Sequence, residues 1–159
     1  QLDRINMKPT QLDLQKIIIE RLEELDGMAR KKDLNIAVEW GVKEAFADRD
    51  AVVFILRNLL SNAIKFSHQG GKIRISSTKE DGKVAIHIKD EGVGISEEVM
   101  AKIFEAGEKI TQTGTSGEKG NGLGLTLSRE FAERNNGYIR VESQEGYGSD
   151  FIVYLPLAL

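Results

Sequence analysis

Apolar positions recur along this chain with two periods, and the alternation between them outlines its elements. In "LDLQKIIIERLEELDGMARKK" the residues Leu14, Ile17, Ile18, Leu22, Leu25 and Met28 follow helical spacing, with charged residues on the opposite face. "LNIAVEW" and "EAFAD" read as short strands. The next helix, capped by Asp48 or Asp50 and running to about Ser67, places Val52, Ile55, Leu56, Leu59, Leu60 and Ala63 on one broad apolar face. "GGKIRISS" and "KVAIHIKD" alternate with period two about the turn "EDGK", the pattern of a hairpin. "SEEVMAKIF" predicts a short helix capped by Ser96, and a further helix from about Gly124 to Asn136 ends on "NNG". "YIRVES" and "SDFIVYLP" close the chain as a second hairpin. Helices mixed with hairpins predict an α/β fold, a two-layer sandwich of a mixed, mostly antiparallel sheet packed against about three helices.

Two stretches lack such periodicity. Residues 1–10, "QLDRINMKPT", are polar and read as a linker from something upstream, which leaves residues 11–159 as the domain. The polar run "AGEKITQTGTSGEKG" has almost nothing to bury, and a loop of that length inside a compact domain is usually functional or disordered.

Composition removes whole classes of function. At 159 residues the chain has the length of one domain with its own core. Its 22 basic and 25 acidic residues leave a net charge of −3, which gives no reason to invoke nucleic acid or an anionic membrane. The absence of cysteine excludes a disulfide framework, a thiolate metal site and a thiol nucleophile. No apolar run approaches the roughly 20 residues that span a bilayer, so the domain itself is expected in the cytoplasm, with the full-length protein open to a membrane anchor elsewhere. Histidine chemistry is confined to His68 and His87.

Three places carry polar residues where packing alone would not put them. On the helix "AVVFILRNLLSNAIKFS", Asn58, Asn62 and Lys65 lie within roughly 60° of one another, away from the apolar face. Asparagine is a poor helix former, and a solvated face would normally carry Glu, Lys or Gln. An amide oxygen is a hard ligand of the kind Mg²⁺ accepts beside phosphates and water, and Lys65 can meet a phosphate. In "KVAIHIKDEGVGI" the period of Val84, Ile86 and Ile88 carries Asp90 into the same apolar row, where a carboxylate is costly without donors. Gly92 and Gly94 clear side chains from beside it, so a donor-bearing heterocycle such as adenine fits there, as does an aspartate capping a tight turn. His87 falls on the opposite, polar face with Ala85 and Lys89 and is expected to be structural. Third, "GEKGNGLGL" brings glycines into a helix N-terminus, a candidate anion site. It matches neither a Walker A loop, nor a dinucleotide fingerprint after a strand, nor the Ser/Thr kinase set.

Taken in order, these segments resemble the boxes of sensor histidine kinases. "NLLSNAIKFS" resembles their N box, "DEGVGI" the first glycine box, "IFEAG" a reduced F box, "GNGLGL" the second glycine box and "GYGSDF" the third. The resemblance covers roughly residues 50 to 155 and points to the catalytic and ATP-binding domain, with the Bergerat fold shared by DNA gyrase, Hsp90 and MutL. It implies Asn62 as the Mg²⁺ ligand, Asn58 and Lys65 facing the phosphates, and Phe66 beside adenine. Asp90 would accept from the adenine amino group, with Gly92, Gly94 and Ile95 shaping the base pocket and Gly146, Gly148 and Ser149 supporting it. Phe104 would pin an ATP lid at about 105–119. Gly120, Asn121, Gly122, Leu123, Gly124 and Leu125 would bring main-chain N–H groups and the helix N-terminus to the triphosphate. Two departures stand out: Gly107 replaces a frequent second Phe of the F box, and Asn121 replaces a common Thr or Ser.

The resemblance also implies the reaction. ATP-hydrolysing relatives have a glutamate four residues before the magnesium asparagine; here that position is Asn58, which cannot serve as a base. The expectation is therefore transfer of the γ-phosphoryl group, from ATP with Mg²⁺, to a histidine on a separate dimerisation helix of the same protein, and thence to a response regulator. Neither His68 nor His87 matches that acceptor, so the fragment is expected to be a monomer that does not label itself. The alternatives are a nucleotide-hydrolysing conformational switch of the gyrase type, a serine kinase of the anti-sigma-factor type and a degenerate interaction module.

Overall fold

The computed structural model describes residues 6–104 and 123–158. The stretch read as a lid, 105–119, and Gly120, Asn121 and Gly122 lie outside the described residues. In chain order the elements are β1 (Pro9–Asp13), α1 (Leu14–Glu24), α2 (Asp26–Lys31), β2 (Asn35–Trp40), β3 (Glu44–Asp48) and α3 (Arg49–Phe66). They continue with β4 (Lys72–Glu80), β5 (Lys83–Asp90), α4 (Glu97–Met100), α5 (Leu123–Arg134), β6 (Tyr138–Gln144) and β7 (Gly148–Pro156). Five strands form one sheet in the order β2-β4-β5-β7-β6, parallel between β2 and β4 and antiparallel elsewhere. β1 and β3 pair separately as an antiparallel ribbon.

The core lies between one face of this sheet and α1, α3 and α5. Ile73 and Ile75 of β4, Val84, Ile86 and Ile88 of β5, and Phe151, Val153 and Leu155 of β7 supply the sheet side. Ile55, Leu56, Leu59, Leu60 and Ile64 of α3 press on them, joined by Leu14, Ile17 and Ile18 of α1 and Leu125 and Ala132 of α5. This is the expected two-layer sandwich, and α3, the predicted amphipathic helix, is its centre.

Local chemistry sets the ends of the elements. Asp48 caps α3, its carboxylate accepting from Ala51 N at 2.9 Å, and Ser96 caps α4 through Val99 N at 3.2 Å. Asn136 takes the left-handed conformation (φ 61°) after α5, so the asparagine rather than the following glycine makes the helix stop. Buried Asn135 accepts from Asp48 N at 2.7 Å and donates to the Phe131 carbonyl at 2.8 Å, tying the end of α5 to the start of α3.

The structure departs from the sequence reading at three points. Pro9 and Thr10, inside the stretch read as linker, already belong to β1, a strand whose residues are exposed except Leu12 and so carry no alternation. The first helix breaks at Leu25 into α1 and α2, and Asp13 caps it through Lys16 N at 3.1 Å. Ala85 is fully buried on the outer sheet face with Ile152 and Tyr154, under Tyr138, whose ring stacks on Tyr154 at 4.4 Å. That face is therefore not uniformly polar. Among the described residues no helix is long and apolar enough to cross a membrane.

Candidate functional site

The polar stripe of α3 is half-buried rather than solvated: Asn58, Asn62 and Lys65 are all intermediate in exposure, whereas Arg57 beside them is exposed. Asn62 Nδ2 donates to Asn58 Oδ1 at 3.3 Å, so the two amides, one turn apart, orient each other. Phe54, on the same side of the helix, meets Phe131 of α5 edge-on at 5.2 Å. A short helix-to-helix approach brings Gly124, in the first turn of α5, against the Asn58 amide. A Cβ placed on Gly124 would lie 1.9 Å from Asn58 Nδ2. Glycine at this position leaves room for the Asn58 side chain, a steric reason separate from any anion at the helix N-terminus.

The other wall is built around Asp90, at the end of β5. As the alternation requires, it continues the row of Val84, Ile86 and Ile88, and it is 4% exposed. Gly92 N donates to its Oδ1 at 2.9 Å. Burial raises its pKa to about 6, against the opposing pull of hydrogen bonds from the Gly92 and Ser149 main-chain N–H groups. The Gly92 bond is that of an aspartate capping a tight turn, and the buried carboxylate beside it can also accept from a ligand that brings its own donor.

The loop after Asp90 is clamped from both sides. Val93 N donates to the Phe66 carbonyl at 3.0 Å, which joins the loop to the end of α3, and Gly146 N donates to the Val93 carbonyl at 2.7 Å from the turn between β6 and β7. These approaches are so close that a Cβ on Gly92 would sit 1.8 Å from the Phe66 carbonyl oxygen, and one on Gly94 (φ +71°) 2.1 Å from that of Gln144. Ser149 pairs with Asp90 across β5 and β7, and Gly148 precedes it. Phe104 lies under the Arg129 guanidinium of α5, 5.5 Å from its ring centre.

Of the residues singled out in the sequence, the structure thus links Gly124, Asn58 and Asn62 along α3 to Lys65 and Phe66 at its end, and from there through Gly92, Gly94 and Ile95 to Asp90 and Ser149. Leu125 is a core residue of α5, 8% exposed, facing the packing interface. His87 has the structural setting expected of it. Its Nε2 is 2.6 Å from Glu80 Oε2 and its Nδ1 3.0 Å from Asp150 Oδ2. Burial pulls the His87 pKa down, but hydrogen bonds to Asp150 and Glu80 and their charges outweigh it, and the net shift is upward.

Ser143 belongs to no motif that marks it in the sequence. It accepts from Ile95 N at 2.8 Å, donates to the Gly148 carbonyl at 3.0 Å and meets the Ser149 hydroxyl at 2.7 Å, so one side chain joins the loop after Asp90 to the start of β7. Its only local signal is a serine in the inward row of β6, opposite Ser149.

Residues 47–159 match the family described as "Histidine kinase-, DNA gyrase B-, and HSP90-like ATPase". The chain belongs to that family, as a histidine kinase-type ATPase catalytic domain. It is 30% identical over 165 residues to the circadian input-output histidine kinase CikA of Synechocystis sp., a match covering 98% of this chain and 22% of CikA. The isolated catalytic domain of the histidine kinase ThkA superimposes with a TM-score of 0.79 at 30% identity, covering 94% of this chain and 95% of that one. ThkA has also been solved with the response regulator protein TrrA (TM-score 0.77, 26% identity, 96% and 42% coverage). Full-length ShkA in complex with AMPPNP matches with a TM-score of 0.79 at 26% identity, over 97% of this chain and 32% of ShkA. The chain spans less than a quarter of CikA, so it corresponds to one part of a larger relative.

Proposed function

We propose that this chain binds ATP with Mg²⁺ between α3 and the loop after Asp90, and donates the γ-phosphoryl group to a histidine on a separate dimerisation domain of the same protein. A response regulator would then receive it, as the pairing of ThkA with TrrA suggests by analogy. The observation that carries the reading is the buried carboxylate of Asp90 at the foot of a helix whose polar stripe is two mutually hydrogen-bonded amides and a lysine.

The donor set fits the metal. Among the described residues no group of three or more His, Asp or Glu side chains could cage a cation. A single amide oxygen of Asn62 is the kind of sparse protein ligation that Mg²⁺ tolerates when phosphates and water complete its shell. When bound, the ion would neutralise phosphate charge as transfer proceeds. The chain's own residues do the remaining work. Asp90 accepts from the adenine amino group and fixes the base. Phe66, Gly92, Gly94, Ile95 and Ser149 shape the pocket around it. Asn58 orients Asn62 through the 3.3 Å amide contact, and Lys65 places a positive charge one turn below. Asn58 also stands where a carboxylate would activate water, so hydrolysis is slow and the phosphoryl group is kept for the acceptor. In the proposal, phosphate contacts also come from Gly120, Asn121 and Gly122, and the domain works in the cytoplasm as a monomeric unit.

The test is a labelling assay with γ-labelled ATP. The chain alone is expected to bind ATP and remain unlabelled, and addition of the helical domain carrying the acceptor histidine restores labelling of that domain. Labelling of the chain by itself contradicts the assignment. A narrower prediction concerns Gly124→Ala. The methyl group forces the Asn58 amide aside, and only the far end of a side chain must move, so the melting temperature stays within a few degrees. Loss of the Asn58–Asn62 contact is expected to weaken Mg²⁺-dependent ATP binding about tenfold, the scale of one hydrogen bond to a charged site. Binding of Mg²⁺-free ADP stays unchanged in calorimetry.

A further inference from the structure

Lysine is among the side chains least often buried, and Lys32, at the end of α2, is 3% exposed. Its ammonium group donates to three main-chain carbonyls: Ile64 at 2.9 Å, Lys65 at 2.7 Å and Ser67 at 3.2 Å. These carbonyls belong to the last turn of α3 and its C-cap, where the helix dipole is negative and a cation is favoured. The Lys32 carbonyl also accepts from Gly70 N at 2.7 Å, so the same residue holds the chain as it leaves α3 towards β4.

The helix end gripped in this way is a wall of the site. Phe66 lies between two of the gripped carbonyls, those of Lys65 and Ser67, so the peptide groups on either side of it are pinned. Its own carbonyl accepts from Val93 N at 3.0 Å and packs against Gly92, whose N–H in turn holds Asp90 Oδ1 at 2.9 Å. A continuous chain of main-chain contacts therefore runs from the Lys32 ammonium to the Asp90 carboxylate. A methionine in place of Lys32 would fill the volume but remove these three charge-assisted hydrogen bonds, and the last turn would relax.

We propose that Lys32 is a positioning residue for the adenine side of the site: by fixing the C-terminal turn of α3 it sets the Phe66 carbonyl, and through it the direction of Asp90. The proposal rests on the reading of Asp90 as acceptor of the adenine amino group. It goes beyond that reading by making base selectivity depend on a side chain that touches no nucleotide.

The experiment compares dissociation constants for ATP and for ITP, which lacks the 6-amino group, in wild type, Lys32→Met, Lys32→Gln and Asp13→Ala. Wild type is expected to prefer ATP about tenfold or more, the discrimination of a hydrogen bond to a charged acceptor. Lys32→Met loses most of that preference by a fall in ATP affinity, with ITP affinity nearly unchanged. Lys32→Gln keeps an amide donor one atom shorter and falls between, and it carries the test if the methionine variant does not fold. Asp13→Ala removes the α1 cap and lowers the melting temperature, but it leaves the ATP-to-ITP ratio as in wild type. A folded Lys32 variant with the wild-type ratio overturns the proposal and leaves Lys32 as a stabiliser only. A wild type that binds neither nucleotide, or both alike, removes the reading of Asp90 itself and the proposal with it.

Discussion

Asp90→Asn weakens ATP binding by about a hundredfold while leaving the nucleotide-free protein as stable as wild type or more so. The first half follows from chemistry: an amide presents a weaker acceptor and a competing NH₂ to the adenine amino group, and hydrogen bonds to a charged partner are worth about 1.5–3 kcal/mol. The second half follows from burial. An aspartate whose pKa rises from 3.8 to about 6 on folding binds its proton more tightly in the native state. Its ionisation therefore costs stability that is absent below about pH 4, grows between pH 4 and 6, and is fully present above 6. At about 1.4 kcal/mol per pH unit this cost approaches 3 kcal/mol at neutral pH, and the asparagine variant does not bear it. Thermal melts at pH 7.5 and calorimetry with ATP measure the two halves separately. The same ionisation predicts a pH profile. The ratio of ATP to ITP affinity, in which phosphate titration cancels, is constant above about pH 7 and falls as pH drops through 6. A flat ratio down to pH 5 contradicts the role given to Asp90.

The second large effect is expected at Gly92. A methyl group there meets the Phe66 carbonyl oxygen at 1.8 Å, and that oxygen is main chain, pinned by Val93 and by the end of α3. Neither partner can swing away, in contrast to Gly124, whose neighbour is the tip of a side chain. Gly92→Ala therefore separates the loop after Asp90 from α3. The cost is that of overpacking, about 1–3 kcal/mol, and because Gly92 N holds the Asp90 carboxylate, nucleotide affinity falls with it. A denaturant titration and an ATP titration of the same sample check both. Wild-type affinity in a destabilised variant would show that the Gly92–Asp90 hydrogen bond does not set the site.

Much of this could be read from the sequence because burial leaves a local trace. The apolar face of α3, the alternation that carries Asp90 inward and the caps at Asp48 and Ser96 all depend on neighbours a few residues apart, and each stands where the pattern puts it. What the sequence hid is made by distant partners. Lys32 looks like one more charge in "ARKKD", yet its ammonium meets carbonyls 32 to 35 residues away. Ser143 looks like an ordinary strand serine until it accepts from Ile95 N, 48 positions earlier in the chain. β1 is exposed except at Leu12 and so has no period to detect, although it pairs with β3. Ala85 reads as a small residue on a polar face because its cover, Tyr138 and Tyr154, comes from β6 and β7. The glycine of the second glycine box at Gly124 was legible as a glycine, but its steric reason, the Asn58 amide, was not.

The central claim is that α3 and the loop after Asp90 form one site for ATP and a single Mg²⁺. Isothermal titration of the chain with ATP, in the presence of Mg²⁺ and again with the metal chelated, tests it most directly. The account predicts saturable one-to-one binding that is strengthened by Mg²⁺ and weakened about a hundredfold in Asp90→Asn. Absence of heat from ATP under both conditions, or binding that Asp90→Asn leaves intact, contradicts it.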